Sequence, residues 1–181
     1  MEMKHFFWIA PTTMLMSAVP CIAIQYVSID QAQRLCFSEA SKFVLASVVL
    51  TDAQMADIEK DSGVRVRNKV QQVWKVYAGT AFLGWFISDQ VIGKHDEIDW
   101  GLALNKDGTV RQCEIMEYRE RYGSAIRNSE FRNQFVGKKH GDLLQLNKDI
   151  RNISGETLSS KHVTEGVKRL LSFYEIVLKK N

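Results

Sequence analysis

The 181-residue chain has little cysteine, little net charge and no pattern that would hold a metal. Its three cysteines, Cys21, Cys36 and Cys113, lack the spacing of a zinc site, and His140 and His162 have no cysteine or carboxylate cluster around them. The formal net charge is only +3, and basic residues alternate with acidic ones, as in Lys60-Asp61 and Arg119-Glu120-Arg121. With no basic stripe, the sequence argues against a nucleic-acid partner. It has no internal repeat, linker or low-complexity tract, which leaves room for one domain of ordinary size. What the chain does have is 45% hydrophobic and 10% aromatic residues, enough for a real core.

Charge is missing altogether from residues 6–29, which follow Lys4 and precede Asp30. A short positive start and an apolar run give the layout of a secretory signal over residues 1–23. Pro11, Pro20, Thr12, Thr13 and Gln25 interrupt the run, favouring cleavage after Ala23 over an uncleaved anchor. In either case the body is expected outside the cytoplasm, because the positive end stays inside. Cleavage leaves Cys36 and Cys113, which in an oxidising compartment either pair or sit as buried small hydrophobes.

Ser28-Ile29-Asp30-Gln31 and Thr51-Asp52-Ala53-Gln54 read as capping boxes that open two short helices, with Asp61-Ser62-Gly63 stopping the second. Residues 24–68 are thus expected to form a helical front section. From residue 69 onward, runs at 73–77, 81–91, 98–104 and 110–118 are rich in β-branched or aromatic residues and predict strands. Asn105-Lys106-Asp107-Gly108 marks a turn between the last two. Successive hairpins without crossover helices predict an antiparallel sheet. Residues 129–135 suggest a short helix, and 137–149 a polar loop. Trp74, Trp85 and Trp100 are read as core. The last helix is expected to begin near Ser160, where Val163, Val167, Leu170, Leu171, Tyr174, Val177 and Leu178 recur at steps of three and four. The expected fold is α+β: a curved antiparallel sheet packed by helices, with the C-terminal helix covering it.

Ahead of that helix stands Ser154-Gly155-Glu156-Thr157-Leu158-Ser159-Ser160. Gly155 permits a positive φ. The first N–H groups of a helix lack intrahelical acceptors and sit at the positive end of its dipole, so an anion is stabilised there. The plainer reading is a cap, with Ser159 or Ser160 accepting from backbone amides.

The stretch resembles the attachment motif of the FMN-binding domain family, in which a Ser/Thr-Gly-Ala-Thr run carries FMN esterified through its phosphate to the last threonine. Glu120-Arg121-Tyr122-Gly123 and Phe131-Arg132-Asn133-Gln134-Phe135-Val136-Gly137-Lys138 are similar to segments of the flavin-carrying subunits of sodium-pumping quinone reductase and Rnf-type complexes. The resemblance implies covalent FMN at Thr157, held by Ser154, Gly155, Glu156, Leu158 and Ser159 within residues 69–181. It also implies that Glu120, Tyr122 and Gly123 approach the flavin. Lys94 and His95, after a strand, offer cations to a phosphate or to the reduced ring. Glu156 replaces the usual alanine, and Arg151 stands where many members have aspartate. A carboxylate 4 Å from a phosphodiester is repelled by about 1 kcal/mol in a water-like setting, so Glu156 is expected to point to solvent or pair with Arg151 or Lys161.

The resemblance implies an electron carrier in the bacterial periplasm or on the outer face of the cytoplasmic membrane. A flavin transferase would mature it, and a membrane-bound redox protein would exchange electrons with it. The alternative is a flavin-free envelope binding or assembly module with the same fold.

Overall fold

The computed structural model describes residues 24–25, 27–93, 96–118 and 124–180. Both capping boxes form. The Ser28 hydroxyl accepts from Gln31 N at 3.2 Å while Gln31 Oε1 accepts from Ser28 N at 2.8 Å, opening helix α1 (Ile29–Cys36). Thr51 and Gln54 make the same exchange at 3.2 and 2.9 Å to open α2 (Asp52–Ser62), which Gly63 closes in the left-handed conformation at φ 70°.

Seven strands follow the chain as β1 (Ile24–Gln25), β2 (Lys42–Leu45), β3 (Val48–Val49), β4 (Val70–Ala78), β5 (Ala81–Ile92), β6 (Glu97–Asn105) and β7 (Val110–Tyr118). All pair antiparallel in the order β1-β7-β6-β5-β4-β2, with β3 also on β4. Register shifts after Val76, Asp99 and Ala103 mark bulges or irregularities, which bend a sheet. Residues 24–68 contain the two expected helices and also β1, β2 and β3, which extend the sheet at its two edges.

Alternation along the strands separates two apolar layers. Val73, Trp85, Ile87, Leu102, Leu104 and Cys113 join one cluster with Ile58 of α2 and with Val163, Val167, Leu170 and Leu171 of helix α4 (Thr157–Phe173). Phe86, Ala103 and Met116 form the second cluster with Ala32 and Cys36 of α1. The fold is therefore α+β, an open antiparallel sheet with α2 and α4 on one face and α1 on the other. Trp85 and Trp100 are buried, and half-buried Trp74 packs edge-on against Phe86 at 5.9 Å. Cys36 and Cys113 belong to opposite layers, so they stay free and buried, and burial pushes the Cys113 thiol up to about 12.

Helix α4 runs three residues further toward its N-terminus than the hydrophobic stripe predicts, and a π-helical turn (Tyr174–Leu178) continues it. Three contacts fix it on the sheet. Gly166 lies so close to Trp100 that a Cβ there would sit 2.7 Å from the ring. Arg169 donates to the buried Asp89 of β5 at 2.5 Å. His162 Nδ1 is hydrogen-bonded to the carbonyl of Ile92 at the end of β5. Between β7 and α4 lie a 3₁₀ turn (Ser124–Arg127), helix α3 (Ser129–Arg132), a second 3₁₀ turn (Asn133–Phe135) and an irregular segment.

Candidate functional site

Thr157 is the first residue of α4, and it is exposed. Gly155, at φ 83°, turns the chain into the helix, a conformation that costs a residue with a Cβ and not glycine. Glu156 is the N-cap residue and makes no side-chain cap bond. The serine-cap reading is therefore corrected. Ser159 and Ser160 lie inside the helix at 2% and 0% exposure, because a start at Thr157 carries both onto the core-facing side. Ser159 is thereby turned away from any cofactor at the turn, whereas Ser154, Gly155 and Leu158 are exposed beside Thr157.

The Glu156 carboxylate neither points to solvent nor pairs with Arg151 or Lys161. Its two oxygens accept from the backbone N–H groups of Ala125 and Ile126, at 2.8 and 3.0 Å. Lys161 instead lies 3.7 Å from Glu165. The physical reason is the 3₁₀ turn, whose first amides lack backbone acceptors and take the charged oxygens in preference to water. This contact brings the turn ahead of α4 against the chain that directly follows Glu120, Tyr122 and Gly123. Those three residues, with Lys94 and His95, lie outside the described residues. Gly93 N, just after β5, donates to Asp96 O at 2.7 Å, and the carbonyl of the preceding Ile92 is held to His162 in the second turn of α4.

Beside the turn opens a cleft of about 580 Å³, lined by Asn128, Phe131, Gln134, Arg151, Asn152 and Ser154 among others. Its volume falls in the range of about 300–1,000 Å³ common for small-molecule and cofactor sites. Next to the wall residue Phe131, Arg132 ties its helix to β7: its Nη1 pairs with buried Glu114 and donates to Cys113 O at 3.0 Å, while Nε donates to Arg127 O at 2.9 Å. Phe131 and Phe135 pack edge to face behind it at 5.3 Å. The other wall is held by Gln134, which accepts from Arg151 N at 2.7 Å and donates to Arg151 O at 3.4 Å. The Arg151 side chain is exposed at the rim.

One contact reaches the Thr157 hydroxyl itself. Asn152 Nδ2 donates to Thr157 Oγ1 at 3.0 Å, and Asn152 Oδ1 is buried with no partner among the described residues. The sequence carried no signal for Asn152; Arg132 and Gln134 lie in the segment that carried the resemblance, but their contacts are ones the fold creates. The arrangement fits a phosphate-linked flavin: a reachable hydroxyl at a helix start, an adjoining cleft of cofactor size, an arginine at its rim and a buried amide with unused hydrogen-bonding capacity.

Comparison with known proteins agrees with this geometry. The fold is similar to the crystal structure of Shewanella oneidensis NqrC, with a TM-score of 0.54 and 14% identity over 81% of this chain and 86% of that one. No curated protein is a significant match to the sequence. Residues 93–172 match the family model described as the FMN-binding domain, a span that includes the α4 turn, both cleft walls and strands β6 and β7. This part of the chain is therefore similar to the FMN-binding domain family.

Proposed function

We propose that the protein is an electron-transfer flavoprotein that carries FMN through a phosphoester on Thr157 and works outside the cytoplasm. The observation that carries this reading is the exposed Thr157 hydroxyl on the first residue of α4, next to a 580 Å³ cleft. The isoalloxazine ring supplies the redox chemistry when bound, and the chain's part is attachment, orientation and control of water. Ser154, Gly155 and Leu158 form the exposed edge of the attachment turn, and the first amides of α4 present partial positive charge to a phosphate. Glu156 does not oppose this. Both its carboxylate oxygens are engaged by the amides of Ala125 and Ile126, which hold the charge against that turn instead of leaving it free beside a phosphodiester.

Covalent attachment suits a protein exported by residues 1–23, since a flavin lost outside the cytoplasm is not readily replaced. A membrane-bound redox protein is the partner this reading requires, and a flavin transferase is the enzyme that matures it. Full-length protein made with and without an active transferase tests the reading. Yellow colour that stays with the denatured polypeptide, and that Thr157→Ala abolishes, supports it. A colourless wild-type protein beside an active transferase favours a flavin-free binding module instead.

A further inference from the structure

Asn152 is set apart from the other residues of the turn by its direct bond to Thr157 Oγ1 and by its own buried Oδ1, which has no partner among the described residues. A buried amide oxygen left unpaired is unfavourable, so this orientation persists only because the surroundings impose it. The imposing element is visible. Arg151, the preceding residue, is fastened through both its N–H and its carbonyl to Gln134, so Asn152 projects from a backbone that cannot easily turn.

The sense of the bond carries chemical information. A threonine hydroxyl has one donor hydrogen and two acceptor lone pairs. Because Asn152 donates, it occupies one lone pair of Oγ1 and leaves the O–H free to donate elsewhere, on a residue that is exposed. Esterification forms an Oγ1–P bond and releases the hydroxyl proton to a base. The P–O bond to the departing nucleotide of a flavin dinucleotide breaks, and the leaving group keeps the electron pair. The ester oxygen that results accepts hydrogen bonds and donates none. A donor at position 152 therefore suits both the free and the esterified threonine, while an acceptor suits only the free one.

We propose that Asn152 is the positioning residue of the flavin acceptor, holding Thr157 Oγ1 by donation before and after attachment; the proposal rests on the covalent reading above. Asn152→Asp and Asn152→Ala separate a positioning role from a structural one. Aspartate keeps the shape and accepts from the free Thr157 hydroxyl, but it has no donor for the ester and adds charge beside the phosphate. Alanine loses the contact and adds no repulsion.

The experiment uses full-length unmodified protein, a purified flavin transferase and flavin adenine dinucleotide, with intact mass followed over time. Thermal midpoints of the unmodified forms are measured alongside. The proposal expects Asn152→Ala to load about tenfold more slowly than wild type, the scale of one lost hydrogen bond. Asn152→Asp is expected to load more slowly still, out of proportion to any change in its melting temperature. Equal loading rates in all three proteins overturn the proposal. So does loading that simply follows the melting temperatures across the three proteins, because that is the pattern of a residue serving the fold alone. Failure of wild type to load, beside a control domain that does, instead removes the covalent reading and the proposal with it.

Discussion

The Glu156 carboxylate spans the backbone amides of Ala125 and Ile126, joining two segments 31 and 30 residues apart at the point where α4 begins. Hydrogen bonds to a charged acceptor contribute about 1.5–3 kcal/mol in favourable cases. Glu156→Ala is expected to destabilise the protein by about 1–3 kcal/mol, which lowers Tm by several degrees in a chain of this size. Glu156→Gln, which keeps one acceptor, should lie between. Thermal unfolding followed by circular dichroism checks the order, and an alanine variant as stable as wild type would show that the latch contributes nothing.

Gly166 faces Trp100 across the α4–sheet contact. Replacing a helix-interior glycine by alanine ordinarily stabilises by about 1 kcal/mol. Here the new methyl would lie 2.7 Å from the indole and 3.1 Å from Val91, and overpacking of a core costs about 1–3 kcal/mol. Gly166→Ala should therefore lower Tm, against the propensity rule. A rise in Tm would mean that α4 can move off the sheet freely.

Asp149 organises the loop that leads into Asn152. Its carboxylate accepts from Gln145 N at 2.8 Å, Leu144 N at 3.1 Å and Lys138 Nζ at 2.9 Å. Burial alone would raise its pKa, but the amides of Gln145 and Leu144 and the Lys138 ammonium more than offset this and hold it below the usual 3.8. A depressed folded pKa means stability that is fully present above about pH 4 and lost as pH falls through the folded value. The stability gap between wild type and Asp149→Asn should be constant from pH 7 to about pH 5 and shrink below about pH 4. Urea titrations across that range read it directly, and a gap that widened on acidification would contradict the assignment.

Cys36 and Cys113 should resist alkylation in the native state at pH 8. Both thiols are buried, and burial raises both pKa values, so little thiolate forms. Peptide mapping should find both modified after unfolding in denaturant. Rapid native modification of Cys113 would be incompatible with its place in the main core.

The sequence revealed the fold where local chemistry and tertiary structure agree. The Ser28/Gln31 and Thr51/Gln54 boxes form because each needs only residues three apart. Strands β4 to β7 appear because one or both faces are buried and the pattern shows it. Strands β1, β2 and β3 left no such mark. They have two, four and two residues, and pairing with β7 or β4 creates them. The start of α4 was misplaced for a related reason. Its first turn exposes Thr157 and Leu158 and has a glutamate as N-cap, so neither the apolar stripe nor a common cap residue announces it.

The site was legible as a linear motif but not as a constellation. Ser154 to Thr157 and the segment beginning at Phe131 were both found in the sequence, and the fold brings Ser154 of the one and Phe131 and Gln134 of the other to one cleft. The partners that hold them were invisible, because Glu156 meets Ala125 and Gln134 meets Arg151 only after β7 and α4 have packed.

The covalent flavin on Thr157 is the claim on which the account turns. Intact mass of the wild-type protein from a host with an active flavin transferase, followed by peptide mapping, tests it most directly. The account predicts one added FMN, located on the peptide containing Thr157 and absent from Thr157→Ala. An unmodified Thr157 peptide, from protein made beside a domain that the same transferase does load, would contradict it.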